Sequence, residues 1–219
     1  MTQVAGLLDV ALSYSRAGLA VLPPRQDGSK APIAEWASYQ ENPPDEAQVK
    51  RWYANGRRTG IGTVCGSVAG NLELFEFDWY DTYLLFCELA AEAGMDELIR
   101  AIKDGYSERT PGGGIHWYYR CTEIGGSTKL ARRPDAQADN PLNVKTLIET
   151  KGEGGYAIMA PSSGTVHETG NAYEALTGSV EDIIEINPYE RQQLWQLART
   201  LDEMPEEECR PVKTPVIDG

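Results

Sequence analysis

Leu72-Glu73-Leu74-Phe75-Glu76-Phe77-Asp78 decides the reading of the chain, because it is apolar enough for a strand inside a sheet and yet carries acids towards its end. Side chains two apart on a strand share a face, so Leu72, Leu74, Glu76 and Asp78 point one way and Glu73, Phe75 and Phe77 the other. The attachment points of Glu76 and Asp78 then lie roughly 6 to 7 Å apart. That spacing lets both carboxylates share a divalent cation, or bridge two cations about 3.5 to 4 Å apart. Carboxylate oxygen suits Mg²⁺ and Mn²⁺, and a site with few protein carboxylates leaves positions open for water and phosphate. An isolated Glu-x-Asp is more often the solvated end of an edge strand, so these two acids need companions before they indicate chemistry.

Two companions stand further along. Thr110-Pro-Gly-Gly-Gly-Ile-His116 is a glycine-rich turn feeding a strand, with a histidine near the strand's start. Consecutive glycines let backbone N–H groups approach an anion, and a histidine beside them can neutralise a phosphate oxygen. The same pattern also describes a plain hairpin turn with a structural histidine. Leu147-Ile-Glu149-Thr-Lys151 then ends a strand on a third carboxylate, with Lys145 and Lys151 on its face and another glycine-rich turn behind it. A metal and triphosphate site needs one more acidic ligand and a cation, and this segment supplies both residue types. Taken singly it is an ordinary strand end with solvated charges.

The rest of the chain frames these strands. Val4, Leu7, Leu8, Ala11 and Tyr14 have the spacing of one helical face over residues 3 to 17, and a short buried strand over 19 to 22 stops at Pro23 and Pro24. A second helix is expected from Asp45, turning Val49 and Trp52 inward. Gly60 to Gly66 and Leu72 to Asp78 read as a β-hairpin in the middle of a sheet. Helices are expected over 81 to 93 and 95 to 104, and strands over 115 to 121, 144 to 150 and 156 to 160, with a basic, proline-interrupted loop from Thr122 to Pro141. Asn187, Pro188 and Glu190 form a capping-box start for a closing helix striped by Leu194, Leu197 and Leu201. Strands and helices without strict alternation give an α+β class with a mixed or antiparallel sheet.

Bulk composition excludes less than it first suggests. The 219 residues, 41% hydrophobic, suffice for one substantial core, and no apolar run approaches the length of a membrane span. The expectation is a soluble, cytoplasmic protein. Four cysteines without a C-x-x-C pair and two histidines do not spell a zinc site. A net charge of −13 argues against a surface that wraps long nucleic acid, although Lys129, Arg132 and Arg133 form a local basic cluster.

Glu76-Phe-Asp78, Gly114-Ile-His116 and Ile148-Glu149 together resemble, in order and context, the three motifs of the bifunctional primase-polymerases. These are a branch of the archaeo-eukaryotic primase superfamily found mainly in phage and plasmid replication proteins. Ala17-Gly-Leu-Ala-Val-Leu-Pro-Pro, Lys30-Ala-Pro32, Gly60-Ile-Gly-Thr-Val-Cys-Gly66 and Gly154-Gly-Tyr-Ala-Ile-Met-Ala-Pro-Ser162 add to a similarity covering about residues 5 to 200. Two departures stand out: Glu76 where Asp is more familiar, and Gly114 where a small hydroxyl residue often precedes the histidine.

The resemblance implies a primase-type sheet with an RRM-like catalytic core and flanking helices over residues 1 to 204. Residues 205 to 219 would be a Pro- and Glu-rich linker leading towards a helicase-like domain. It also implies template-directed nucleotidyl transfer from NTPs or dNTPs on single-stranded or primed DNA. Glu76, Asp78 and Glu149 would hold two Mg²⁺ or Mn²⁺ ions. His116 and Lys151, with the backbone of Gly113 and Gly114, would clamp the triphosphate. Lys30 and Arg109 are further phosphate candidates, and Lys129, Arg132 and Arg133 are candidates for the template. A metal-dependent nuclease or phosphodiesterase, and a non-catalytic nucleotide- or DNA-binding replication module, remain the alternatives.

Overall fold

Leu72–Phe77 forms strand β3, and its alternating side chains enter two different cores. Leu72 and Leu74 pack in one cluster with Tyr118, while Phe75 and Phe77 pack in another with Trp117. A strand covered on both faces is apolar on both, which is why this segment lacks the polar-out alternation of a half-exposed strand. The computed structural model describes residues 6–33, 35–135 and 143–205.

Four strands precede or follow β3 in its immediate neighbourhood: β4 (Tyr106–Arg109), β5 (Ile115–Cys121), β6 (Thr128–Pro134) and β7 (Val144–Lys151). With β9 (Glu174–Gly178) they form one sheet in the order β6-β7-β3-β5-β4-β9, and β10 (Glu185–Ile186) pairs with β5 in parallel. The other pairings in this sheet are antiparallel. A second sheet is built from β1 (Ala20–Leu22), β2 (Ile61–Val64) and β8 (Tyr156–Met159). It packs with α1 (Leu7–Arg16) and α2 (Glu46–Tyr53) on the Leu72/Leu74 face. Helices α3 (Tyr80–Glu92), α4 (Asp96–Gly105) and α5 (Pro188–Arg199) cover the Phe75/Phe77 face. The architecture is therefore the α+β class, with helices flanking a mixed, mainly antiparallel sheet. Among the described residues, no helix is long and apolar enough to cross a membrane.

The capping box of α5 forms as the sequence predicts: Asn187 Oδ1 accepts from the Glu190 N–H at 2.9 Å, and Glu190 Oε2 accepts from the Asn187 N–H at 2.8 Å. The helix is then anchored by a buried ion pair. Arg191 donates to both oxygens of Glu73 at 2.7 and 2.8 Å, Tyr119 donates to Glu73 at 2.7 Å, and Glu73 has no solvent exposure.

Two sequence expectations are corrected. The stretches 60 to 66 and 72 to 78 do not pair as a hairpin: β2 lies in the small sheet and β3 in the large one, joined only by the bridge between Gly66 and Leu72. Gly66, Gly70 and Asn71 all take positive φ, 107°, 70° and 57°, and this tight passage moves the chain between layers. The second correction is β6, which occupies part of the expected loop from 122 to 141. Its Thr-Lys-Leu-Ala-Arg-Arg-Pro sequence reads as polar because it is an edge strand, where Lys, Arg and Pro are ordinary, and its register slips twice against β7. The short strands β4, β9 and β10 were also not read from the sequence. The tail after residue 205 lies outside the described residues.

Candidate active site

Strand register assembles the site before any side-chain detail is considered. Glu76 on β3 is directly opposite His116 on β5 and Glu149 on β7. The same row continues to Glu108 on β4 and to Lys129 on β6. Directly opposed residues project to the same face. One row across the sheet therefore reads Lys129, Glu149, Glu76, His116, Glu108, although these residues are spread over more than seventy positions of the chain. β3 is an interior strand, so the edge-strand interpretation of Glu76 and Asp78 falls away.

The row opens into a cleft of about 290 Å³ where the small sheet parts from the large one. Glu76, Asp78, Glu149, His116, Lys151 and Lys30 line it, with Tyr156, Ala157 and Ile158 of β8 as the facing wall and Thr110, Gly112, His167 and Tyr173 around them. Three carboxylates and three cations thus share one concavity. Lys30 reaches it from a residue with φ of 58°, in the loop that bridges to His167 through Ser29.

The charges are strongly coupled. Burial opposes ionisation of Glu76, but the His116 imidazole, with Nε2 3.3 Å from Oε1, takes its carboxyl down to about 2. This contact is an ion pair without aligned hydrogen-bond geometry, which leaves the buried Nε2 of His116 without a hydrogen-bond partner. Burial alone would make His116 less basic. Glu108, whose Oε2 is 3.4 Å from Nδ1, and Glu76 on the other side outweigh it and raise His116 to about 9. His116 is therefore an imidazolium at neutral pH. Asp78 moves the opposite way: crowding by the cleft walls, then the charges of Glu76 and Glu149, push its carboxyl up to about 7, even though the residue sits at the exposed rim. Lys151 pairs with Glu149, and the surrounding acids raise its pKa against the effect of burial.

The donor set suits a hard divalent cation, since it consists of carboxylate oxygens, and a cation there would offset the burial and the neighbouring charges of Glu76 and Glu149 that raise Asp78. Among the described residues, no three His, Cys, Asp or Glu side chains are gathered into a ready cage. Glu76 is turned to His116 and Glu149 to Lys151, so each acid has taken a neighbouring cation.

Other expected site residues are placed differently. The N–H groups of Gly113 and Gly114, expected from the sequence to face phosphate, are engaged inside the turn, donating to the Thr110 carbonyl at 2.9 Å and to Thr110 Oγ1 at 3.0 Å. Thr110 and Gly112 of the same turn line the cleft. Gly114 has a packing role: a Cβ there would lie 2.3 Å from the Phe77 carbonyl oxygen and 3.2 Å from the Asp78 backbone. The hydroxyl residue missing before His116 is thus excluded by the close approach of the strand that carries the acids. Arg109 ends β4 outside the cleft lining. Lys129 is exposed beside Glu149, Arg132 is tied to Asp202 at 3.4 Å, and Arg133 lies over the Trp79 ring at 5.0 Å.

Two residues of the site escaped the sequence reading. Glu108 has no solvent exposure. Its Oε1 accepts from Tyr106 at 2.5 Å and from the Ala160 N–H at 2.7 Å, and its Oε2 faces Tyr118 at 3.3 Å besides His116. Counting back from the Thr110 to Gly114 turn, with Arg109 opposite Ile115, would have placed Glu108 opposite His116. His167 also lines the cleft, its Nδ1 lies 3.2 Å from the Thr169 N–H, and burial and Lys30 make it less basic. No short-range sequence signal marks it.

The family model for bifunctional DNA primase/polymerase, N-terminal, matches residues 11–206. No curated protein matches the chain.

Proposed function

Because the chain belongs to the bifunctional DNA primase/polymerase N-terminal family, we propose that its cleft carries out template-directed nucleotidyl transfer, adding nucleotides to a 3′ hydroxyl. The observation that carries this reading is the convergence of Glu76, Asp78 and Glu149 with His116, Lys151 and Lys30 in one cleft. Acids alone would fit many hydrolytic sites. Three cations facing three acids match a triphosphate that must be held while its leaving group gains charge.

In this reading Glu76, Asp78 and Glu149 hold two Mg²⁺ or Mn²⁺ ions, which would supply activation of the attacking hydroxyl and charge neutralisation on the pyrophosphate side. The protein's own groups do the positioning. His116 is charged at neutral pH and its buried Nε2 faces Glu76 at 3.3 Å, so once Glu76 turns to a metal that N–H is left to donate to a phosphate oxygen. Glu108 holds the opposite side of the ring, keeping Nδ1 protonated and the ring plane fixed. Lys151 and Lys30 flank the same volume as point charges for the remaining phosphates. Tyr156, Ala157 and Ile158 of β8 complete the lining of the cleft. Replication of phage or plasmid DNA is the setting this proposal assigns.

The test is primer extension by the purified protein with Mn²⁺, dNTPs and a primed template. Lengthening of a labelled primer that disappears in a Glu76→Ala, Asp78→Ala double variant is expected. Shortening of the primer without dNTPs would instead indicate a nuclease, and equal background from both proteins would remove the polymerase reading.

A further inference from the structure

Trp79 follows Asp78 directly and caps the start of α3, yet its indole is 41% exposed. Large aromatic side chains are normally buried for their area, and one left in solvent beside a cleft is informative. It is not isolated. Of the seven large hydrophobic side chains exposed among the described residues, Trp79, Tyr80, Leu84, Leu85 and Val144 lie at the start of α3 or the start of β7. Two cations are arranged around the indole, with the Arg133 guanidinium 5.0 Å and the Lys145 ammonium 5.7 Å from its ring centroid, Lys145 being also paired with Asp135 at 3.1 Å, a contact a phosphate would have to replace. Arg133 and Lys145 are cross-strand partners on β6 and β7, so the sheet itself fixes their spacing.

An exposed aromatic ring with fixed cations over it is the arrangement that takes a nucleic-acid base on the ring's remaining exposed surface and its phosphates on the charges. A wholly apolar partner would leave the two cations desolvated, and a duplex offers no free base face. We propose that Trp79, held by Arg133 and Lys145, is a stacking platform for an unpaired base of single-stranded DNA at the mouth of the cleft. It rests on the reading of the cleft as a nucleotidyl-transfer site, because Trp79 is one residue from Asp78 and would align the strand with the acids. The chain's net charge of −13 fits a short local contact rather than an extended basic groove.

The test measures binding of a fluorescein-labelled oligothymidylate and of a blunt DNA duplex in EDTA, with primer extension by the same proteins in Mn²⁺. Trp79→Ala is expected to weaken oligothymidylate binding on the order of 10- to 100-fold, Trp79→Phe to restore most of it, and duplex binding to change little. Arg133→Gln with Lys145→Gln should flatten the log–log salt slope by roughly 1.4, the counterion release of two single-strand phosphate contacts. Direct dNTP binding should be the same in Trp79→Ala and wild type.

Wild-type affinity for oligothymidylate in Trp79→Ala, or an equal loss on the blunt duplex, overturns the platform. So does a change in self-association by sedimentation with no change in DNA binding. A wild type that binds oligothymidylate through Trp79 but does not extend primers keeps the platform and removes the polymerase reading. A wild type that extends primers while Trp79→Ala binds and extends equally well does the reverse.

Discussion

Glu108→Gln is the sharpest test of how the sheet tunes His116. In the folded protein Glu108 Oε1 accepts from Tyr106 and Ala160, and Oε2 faces His116 Nδ1 at 3.4 Å. A glutamine keeps the shape, and its amide oxygen can retain the first pair of contacts. Its NH₂ group then faces Nδ1 and favours the neutral ring. The rise of His116 from 6.5 to about 9 corresponds to roughly 3 kcal/mol of preference for the imidazolium. Glu76 and Glu108 contact opposite nitrogens at 3.3 and 3.4 Å, so the share lost with Glu108 is about 1 to 2 kcal/mol.

The sign follows from a raised histidine pKa. The stabilisation is fully present below the unfolded value near 6.5 and is lost as pH rises through about 9. Urea unfolding in EDTA should therefore show Glu108→Gln less stable than wild type at pH 6, with the gap closing by about pH 9. Ring-proton NMR provides the direct assay, because the chain has only two histidines and a His167→Gln variant assigns them. His116 should titrate well below its wild-type midpoint in Glu108→Gln. A stability difference independent of pH, or an unmoved His116 midpoint, would refute the reasoning.

Arg191→Met strips the counterion from Glu73, which has no exposure, and should cost about 3 to 5 kcal/mol, a fall in Tm of roughly 6 to 20 °C by calorimetry. Adding Glu73→Leu to it should recover part of that loss. Gly114→Ser should destabilise by about 1 to 3 kcal/mol and abolish primer extension, because the new Cβ collides with the Phe77 carbonyl and displaces Asp78; extension at the wild-type rate would contradict the packing role. The raised carboxyl of Asp78 folds more favourably protonated, so stability declines as pH rises from its usual range through about 7. Asp78→Asn should thus unfold at higher temperature than wild type at pH 8 in EDTA and at the same temperature near pH 3. Binding of Mn²⁺ by wild type, followed by calorimetry, should weaken as pH falls below about 7.

Much of this was legible in the chain. The two-residue period of Leu72 to Asp78 settled which side chains share a face, the capping box settled where α5 begins, and the collinear order of Glu76, Asp78, His116 and Glu149 pointed to one site. These are local rules, readable because backbone geometry dictates side-chain direction over a few residues. What sequence could not decide was pairing between distant strands. Register alone placed Glu108 behind His116 and Lys129 beside Glu149, sent β2 and β3 to different sheets, and turned an apparent loop into the edge strand β6. The meaning of Gly114 was equally hidden. Composition presents it as a flexible turn residue, while only the packed β3–β5 pair reveals that the Phe77 carbonyl leaves no room for a side chain. Glu76 and Asp78 were identifiable as acids on one face from the sequence. Their opposite fates, one held ionised by His116 and the other driven towards protonation at the rim, belong to the tertiary structure, because a carboxylate's charge is set by neighbours that the chain brings in from elsewhere.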